Sequence, residues 1–363
     1  MSEKTVTPPV HDHLTDAVGG TPLVRLRRCL HGSEPCRVYA KLEYLNPMGS
    51  MKDRVARHMV ERALADGRLA AGGTVVESSS GNTGMGLAMM AVLHGLRCVL
   101  VVRRQTSPEK LAALRALGAE LVLVDGELPP EHPESYNQKA KQLAAENPGW
   151  YFPDQHNNRE NNEAHHATTG PEIWRQMEGR IDFLVAGIGT GGSVSGAGRF
   201  LKEQDPAVRV VAVDVEGSIF SDHFHTGSHG RPGPYRLEGL GDEELIGCPE
   251  FEQIDAMYQV TDRQAFLAAR RLARREAIFA GGSSGAAVWG VERLVADLAK
   301  RGELAAFGSD GPRIVTLLPD SGNRYLSTLY NDAWMRQHGY LEDGDEETVA
   351  DLLPLPNRAA GAD

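Results

Sequence analysis

Cysteine is scarce in this 363-residue chain, and the four present, Cys29, Cys36, Cys98 and Cys248, stand far apart. No CxxC pair and no Cys/His ligand spacing occurs, which argues against a disulfide framework and against a zinc site. Long apolar runs are missing as well: none approaches the roughly 18 residues that a membrane helix needs. The opening MSEKTVTPPVHDH carries no apolar segment of the kind that directs secretion. Basic excess is also lacking. With 38 Lys and Arg against 49 Asp and Glu, the net charge of −11 disfavours nucleic acid and anionic membranes as partners. The expectation is a soluble, cytoplasmic protein that handles small molecules.

What the chain does have is glycine, 40 residues of it, much of it following short β-branched runs. Strands are expected at 36–45, 74–78, 98–102, 121–125, 182–187, 208–214 and from 314, with helices between them. Strand, helix, strand at this spacing means parallel sheet covered by helices, an α/β architecture. Residues 217–248 read as one long irregular loop, and a helix is expected over about 286–301. The first 15 residues read as an extended arm and the acidic stretch beyond Leu341 as a tail.

Lys52 closes the glycine-containing turn NPMGSMKDR and opens a helix with Val55, Met59, Val60 and Ala63 on its apolar side. An ammonium beside a helix N-terminus deprotonates more easily than one in water. Small-residue turns recur where strands end: SSSGNTG at 78–84, GTGGS at 189–193, GGSSG at 281–285 and PDSG at 319–322. GTGGS is a phosphate cradle in type, since glycines let backbone N–H groups approach an anion at a helix start. It lacks the GK[ST] ending of a Walker A motif, and it is not GxGxxG. Ser80, Asn82 and Thr83 offer donors to a carboxylate at a second helix start. A lysine able to be neutral, a phosphate cradle and a carboxylate cradle together suit pyridoxal 5'-phosphate acting on an amino acid.

NPMGSMKDR, SSSGNTG, GIGTGGS, EGLG, GGSSG and LPDSGNRYLSTLYNDAWM occur in an order that resembles the fold-type II pyridoxal-phosphate family of cysteine synthases and cystathionine β-synthases. PPEHPESY, TTGPEIW and NDAWM look most like the cystathionine β-synthase catalytic core, while AKLEYLNPMGSMKDR and IFAGGSSG also resemble synthases of 2,3-diaminopropionate precursors. The resemblance implies the tryptophan synthase β-like fold, two open twisted sheets flanked by helices. It implies residues 1–44 as arm and first strands, 45–160 as a smaller mobile domain, 161–341 as a larger domain and 342–363 as a flexible tail. A homodimer is implied too.

By the same resemblance, Lys52 holds the cofactor as a Schiff base and moves the Cα proton. Asn82 meets the cofactor's 3′-oxygen, Gly189, Thr190, Gly191, Gly192 and Ser193 hold its phosphate, and Ser321 faces its pyridine nitrogen. Ser79, Ser80 and Thr83 take the substrate carboxylate, with Gln155 and Gly239 close by. The implied reaction is β-replacement on L-serine, O-acetylserine or O-phosphoserine through an aminoacrylate, with sulfide or homocysteine giving cysteine or cystathionine. The alternative keeps the first half-reaction and uses an amino-acid amine as nucleophile, giving a 2,3-diaminopropionate-type product.

Departures from the family pattern bear on the nucleophile. Met48 stands where glycine is usual, Ser79 and Ser193 where threonine is usual, and His156 and Asp242 where cystathionine β-synthases commonly have tyrosine. An O-phosphoserine donor calls for a further cation, with Arg103, Arg104, Arg231 and Arg236 as candidates. His165, His166, His223, His225 and His229 are expected to face solvent, and no metal is expected.

Overall fold

The computed structural model describes residues 10–30, 35–126, 128 and 132–345. Ten strands are described: β1 (Leu23–Leu26), β2 (Arg37–Leu42), β3 (Thr74–Ser78), β4 (Arg97–Arg103), β5 (Glu120–Val124), β6 (Trp150–Tyr151), β7 (Phe183–Gly187), β8 (Arg209–Val215), β9 (Ala256–Val260) and β10 (Arg313–Leu318). They form a six-stranded sheet in the order β1-β2-β10-β7-β8-β9 and a four-stranded sheet in the order β5-β4-β3-β6. Every pairing is parallel except that of β1 with β2, where Leu23 lies opposite Lys41. Parallel strands buried on both faces are expected to be apolar throughout, and β3 is buried at all five positions.

Alternation along each central strand builds two layers of core. In β7, Phe183 and Val185 join one cluster with Ile314 and Leu318 of β10. Leu184 and Ala186 point the other way and pack with Val315 and Leu317. Removing each of the larger side chains from water contributes about 1.5–3 kcal/mol. A third cluster around Val75, Leu87, Leu100 and Leu114 serves the four-stranded sheet. Among the described residues, no helix is long and apolar enough to cross a membrane.

Charge is buried beside the start of the helix Lys52–Ala65. Arg54 reaches Glu43 at 2.7 Å and Glu172 at 2.7 Å, and Lys41 reaches Glu172 at 2.7 Å. Thr21 donates to Glu43 at 2.7 Å, so the segment before β1 joins the network. Burial pushes the Glu172 carboxyl up, but the hydrogen bonds and charges of Arg54 and Lys41 outweigh it and hold it at about 2.

Several local expectations change. The helix read over 286–301 begins earlier and runs Gly282–Lys300. GGSSG looks like a turn because small residues favour helices weakly, yet here they serve close packing: a Cβ on Gly285 would lie 2.0 Å from the Ala265 carbonyl oxygen of the neighbouring helix Asp262–Glu276. The 217–248 stretch is not wholly irregular, since Phe220–Thr226 is helical and buries Phe220. Strand β9 has too few consecutive apolar residues to stand out in the sequence. The four-stranded sheet uses residues 74–151, whereas the six-stranded sheet takes strands from both sides of it in the chain. In the expected arm, Leu14–Ala17 forms a short 3-10 turn. Residues 1–9 of that arm and 346–363 of the expected tail lie outside the described residues.

Candidate active site

Lys52 is the first residue of its helix, with Met51 as N-cap. The preceding turn is pinned to the segment that follows β10. Ser50 makes a backbone bridge to Asp320, and the Met51 N–H donates to the Pro319 carbonyl at 2.9 Å. The Lys52 amine points into a cavity of about 770 Å³ and donates to Thr190 Oγ1 at 3.2 Å. Burial pulls its pKa down to about 8. At pH 7 about a tenth of such amines are neutral, far more than for a lysine in water.

Thr190 sits in the loop between β7 and the helix Gly192–Gln204. Gly191 has φ +82°, a conformation that glycine adopts freely, and a Cβ there would lie 2.7 Å from Pro249 Cα. A Cβ on Gly189 would lie 2.3 Å from the Gly239 carbonyl oxygen, and one on Gly192 would lie 2.1 Å from Asn161 Oδ1. Gly189, Thr190, Gly191 and Ser193 line the cavity, while Gly192 faces Asn161 behind it. Asn161 Nδ2 donates to Thr190 Oγ1 at 2.9 Å, so this hydroxyl oxygen accepts from both the lysine and the amide.

The second turn follows β3 and opens the helix Asn82–His94. Ser79, Gly81, Asn82 and Thr83 line the cavity. Ser80 is not in the lining, and its N–H donates to Tyr136 Oη at 3.1 Å. Thr83 Oγ1 donates to Gln155 Oε1 at 2.5 Å, and the Gln155 N–H donates to Glu77 Oε2 at 3.2 Å. Burial raises the Glu77 carboxyl to about 7. Gln155 and Gly239 both line the cavity, Gly239 with φ +82°.

Ser321 opens the turn that follows β10. It is absent from the cavity lining, and its Oγ accepts from the Asn323 N–H at 3.3 Å, capping that turn. The serine that does line the cavity is Ser283, at the start of the helix Gly282–Lys300. Beside it, Asp320 accepts from Asn82 Nδ2 at 2.8 Å and from Tyr325 Oη at 2.7 Å. Burial raises the Asp320 carboxyl. Sequence reasoning passed over Asp320 and Tyr325, although both stand within the quoted C-terminal motif, because the hydroxyl of Ser321 claimed the role.

Of the four candidate arginines, Arg103 and Arg236 line the cavity and Arg104 and Arg231 do not. His165 is fully buried rather than solvent-facing: it sits in a π-helical turn, and its Nδ1 is 2.9 Å from Thr169 Oγ1.

The residues present fit pyridoxal phosphate. Asn82 Oδ1 and Asp320 Oδ1 are buried at the cavity without a hydrogen-bond partner, and an unsatisfied buried polar atom normally marks a place for a polar ligand or water. The 189–193 loop is closed to side chains by three tight approaches and leaves a helix N-terminus facing the cavity.

Residues 14–320 match the family model described as pyridoxal-phosphate dependent enzyme. Cysteine synthase of Staphylococcus aureus strain Mu50 is 41% identical over 333 residues, covering 91% of this chain and 99% of that protein. Cystathionine beta-synthase of Apis mellifera is 39% identical over 328 residues, covering 90% of this chain. The match covers 62% of the honeybee protein, so the chain spans less than two thirds of that relative. With this site and these matches, the chain belongs to the family of pyridoxal-phosphate-dependent enzymes.

Proposed function

We propose that this enzyme carries out β-replacement on L-serine, O-acetylserine or O-phosphoserine, with a thiol nucleophile giving cysteine or cystathionine. One observation carries the reading: a lysine with a lowered pKa shares a cavity with two separate anion-binding turns, 79–83 and 189–193. The names of the relatives, cysteine synthase and cystathionine beta-synthase, support it.

Bound through Lys52, pyridoxal phosphate supplies an electron sink for the amino acid's Cα. The 189–193 loop would hold its phosphate, and Asn82 would hold its ring. Ser283, which lines the cavity, would offer the ring nitrogen a hydroxyl rather than a carboxylate. Ser79 and Thr83 hold the substrate carboxylate, with Gln155 fixing the Thr83 hydroxyl. Lys52, neutral once displaced by substrate, takes the Cα proton as the β-substituent leaves and returns one after the nucleophile has added.

The nitrogen-nucleophile reading also has support. The cavity has room for far more than sulfide, and Asp125, Glu238, Asp242, Glu243 and Glu244 all line it. A carboxylate-rich entrance favours an amine over an anionic thiolate. Mixing the holoenzyme with each of the three donors and then with sulfide, homocysteine or an amino-acid amine, with products weighed by mass spectrometry, separates the readings. Turnover only with amines would overturn the thiol assignment.

We also infer a cytoplasmic homodimer. Cys29, Cys98 and Cys248 are free thiols, which suits a reducing compartment, and the sequence resemblance supports the dimer.

A further inference from the structure

His156 and Asp242 line the same cavity as Lys52. His156 follows Gln155 directly, and its carbonyl accepts from the Cys248 N–H at 3.1 Å, which fixes the backbone that carries the ring. Asp242 is held as firmly: its Oδ1 accepts from the N–H groups of Glu243 at 2.8 Å and Glu244 at 3.2 Å, and its own N–H donates to Ser218 Oγ at 3.2 Å. Burial lowers the His156 pKa, the charge of Asp242 raises it, Lys52 and Lys141 lower it, and Asp154 raises it. The net effect keeps the imidazole neutral at pH 7, in the form that accepts a proton.

With O-acetylserine or O-phosphoserine, whose substituent leaves as an anion, the β-replacement reading on which this inference rests leaves one proton without an acceptor. With serine the departing hydroxyl takes the Cα proton from Lys52 and leaves as water. In the former case Lys52 holds the Cα proton when the second substrate arrives, and it must give that proton back to Cα. A thiol or an ammonium enters carrying a proton of its own, which Lys52 is then unable to take.

We propose that His156 is the catalytic base for the incoming nucleophile and that Asp242 is its positioning residue. A ring nitrogen of His156 takes the proton from the nucleophile's S–H or N–H group. The electron pair so released forms the bond to the substrate's Cβ, and the Lys52 ammonium passes its proton to Cα. One proton leaves the nucleophile and one reaches Cα, with no change of oxidation state. Asp242 stabilises the imidazolium until its proton passes to solvent.

The test separates the two halves of the reaction in the holoenzyme. Stopped-flow absorbance follows first the addition of O-acetylserine or O-phosphoserine, then the addition of sulfide or homocysteine. In His156→Gln the donor half is expected to stay within about twofold of wild type, while homocysteine addition slows by about 10²–10⁴-fold. Sulfide, already substantially ionised at neutral pH, is expected to suffer much less. A purely structural role would slow both nucleophiles alike, and equal slowing of both, or of neither, overturns the proposal. Asp242→Asn gives a second reading: in the labelled protein, the imidazole resonance of His156 titrates at lower pH than in wild type, and an unchanged titration overturns the pairing. If wild type reacts with none of the three donors, β-replacement itself falls, and the role of His156 with it. If it reacts only with serine, Lys52 is free to take the nucleophile's proton and the role of His156 alone falls.

Discussion

Lys110 Nζ meets the two carboxylate oxygens of Glu238 at 2.8 and 2.5 Å, joining the helix Pro108–Ala116 beside the four-stranded sheet to a loop that lines the cavity from the other side. The pair is partly solvated, so its loss changes stability by less than about 1 kcal/mol. Its place at the cavity gives it a larger effect on substrate retention. Lys110→Ala is expected to leave the melting curve nearly unchanged while raising KM for the amino-acid donor several-fold. The difference should shrink in about 0.5 M salt, where screening weakens the pair in wild type as well. Steady-state kinetics at two ionic strengths check this.

Gly192→Ala places a methyl group 2.1 Å from Asn161 Oδ1, where Asn161 is buried and bonded to Thr190. The loop must shift to admit it. Affinity for pyridoxal phosphate is expected to fall at least about tenfold, with a stability cost of about 1–3 kcal/mol. Titration of the apoprotein with cofactor, followed by absorbance, reads the first effect, and urea unfolding reads the second.

The Lys52 amine should report its depressed pKa directly. In the apoprotein, reductive methylation of Lys52 is expected to speed up about tenfold per pH unit and level off near pH 8, well below the 10.5 of an ordinary lysine. The same shift bears on stability. Between pH 8 and 10.5 the folded chain binds fewer protons at this site than the unfolded chain, so its penalty on folding is full below pH 8 and fades as pH rises towards 10.5. Lys52→Met should therefore stabilise the apoprotein most below pH 8 and hardly at all above 10.5, as read from urea midpoints.

Arg54→Met would leave Glu43 and Glu172 without their shared cation. Breaking a buried pair from one side costs about 3–5 kcal/mol. The double variant Arg54→Met with Glu43→Gln is expected to lose clearly less than the sum of its parts, because a neutral amide in place of the Glu43 carboxylate no longer needs the guanidinium. Chemical unfolding of the three variants measures this coupling.

The parallel strands were legible because burial on both faces forces runs such as TVVES and CVLVV, which few other structures tolerate. Lys52 and the 189–193 loop were legible because glycine beside a helix start has a distinct physical purpose. Gly282–Gly285 misled, since small residues serve both turns and close helix packing, and only the neighbouring helix Asp262–Glu276 decides between them. The surroundings of Ser321 were not legible for a related reason: residues adjacent in an extended turn face opposite ways, so Asp320 lines the cavity while Ser321 caps its own turn. The partnership of Asn82 with Asp320 joins residues from distant parts of the chain, and no local pattern announces it.

Strand order also constrains how the enzyme can be made. Strand β2 pairs with β10, Arg37 lying opposite Arg313, whereas the four-stranded sheet is complete once residue 151 has been synthesised. A chain emerging from the ribosome can thus assemble the smaller sheet early, but β2 must wait for β10 before its second edge is covered. Asp320 lies two residues past the end of β10. Cofactor capture is therefore expected to wait until the chain has been translated past Asp320.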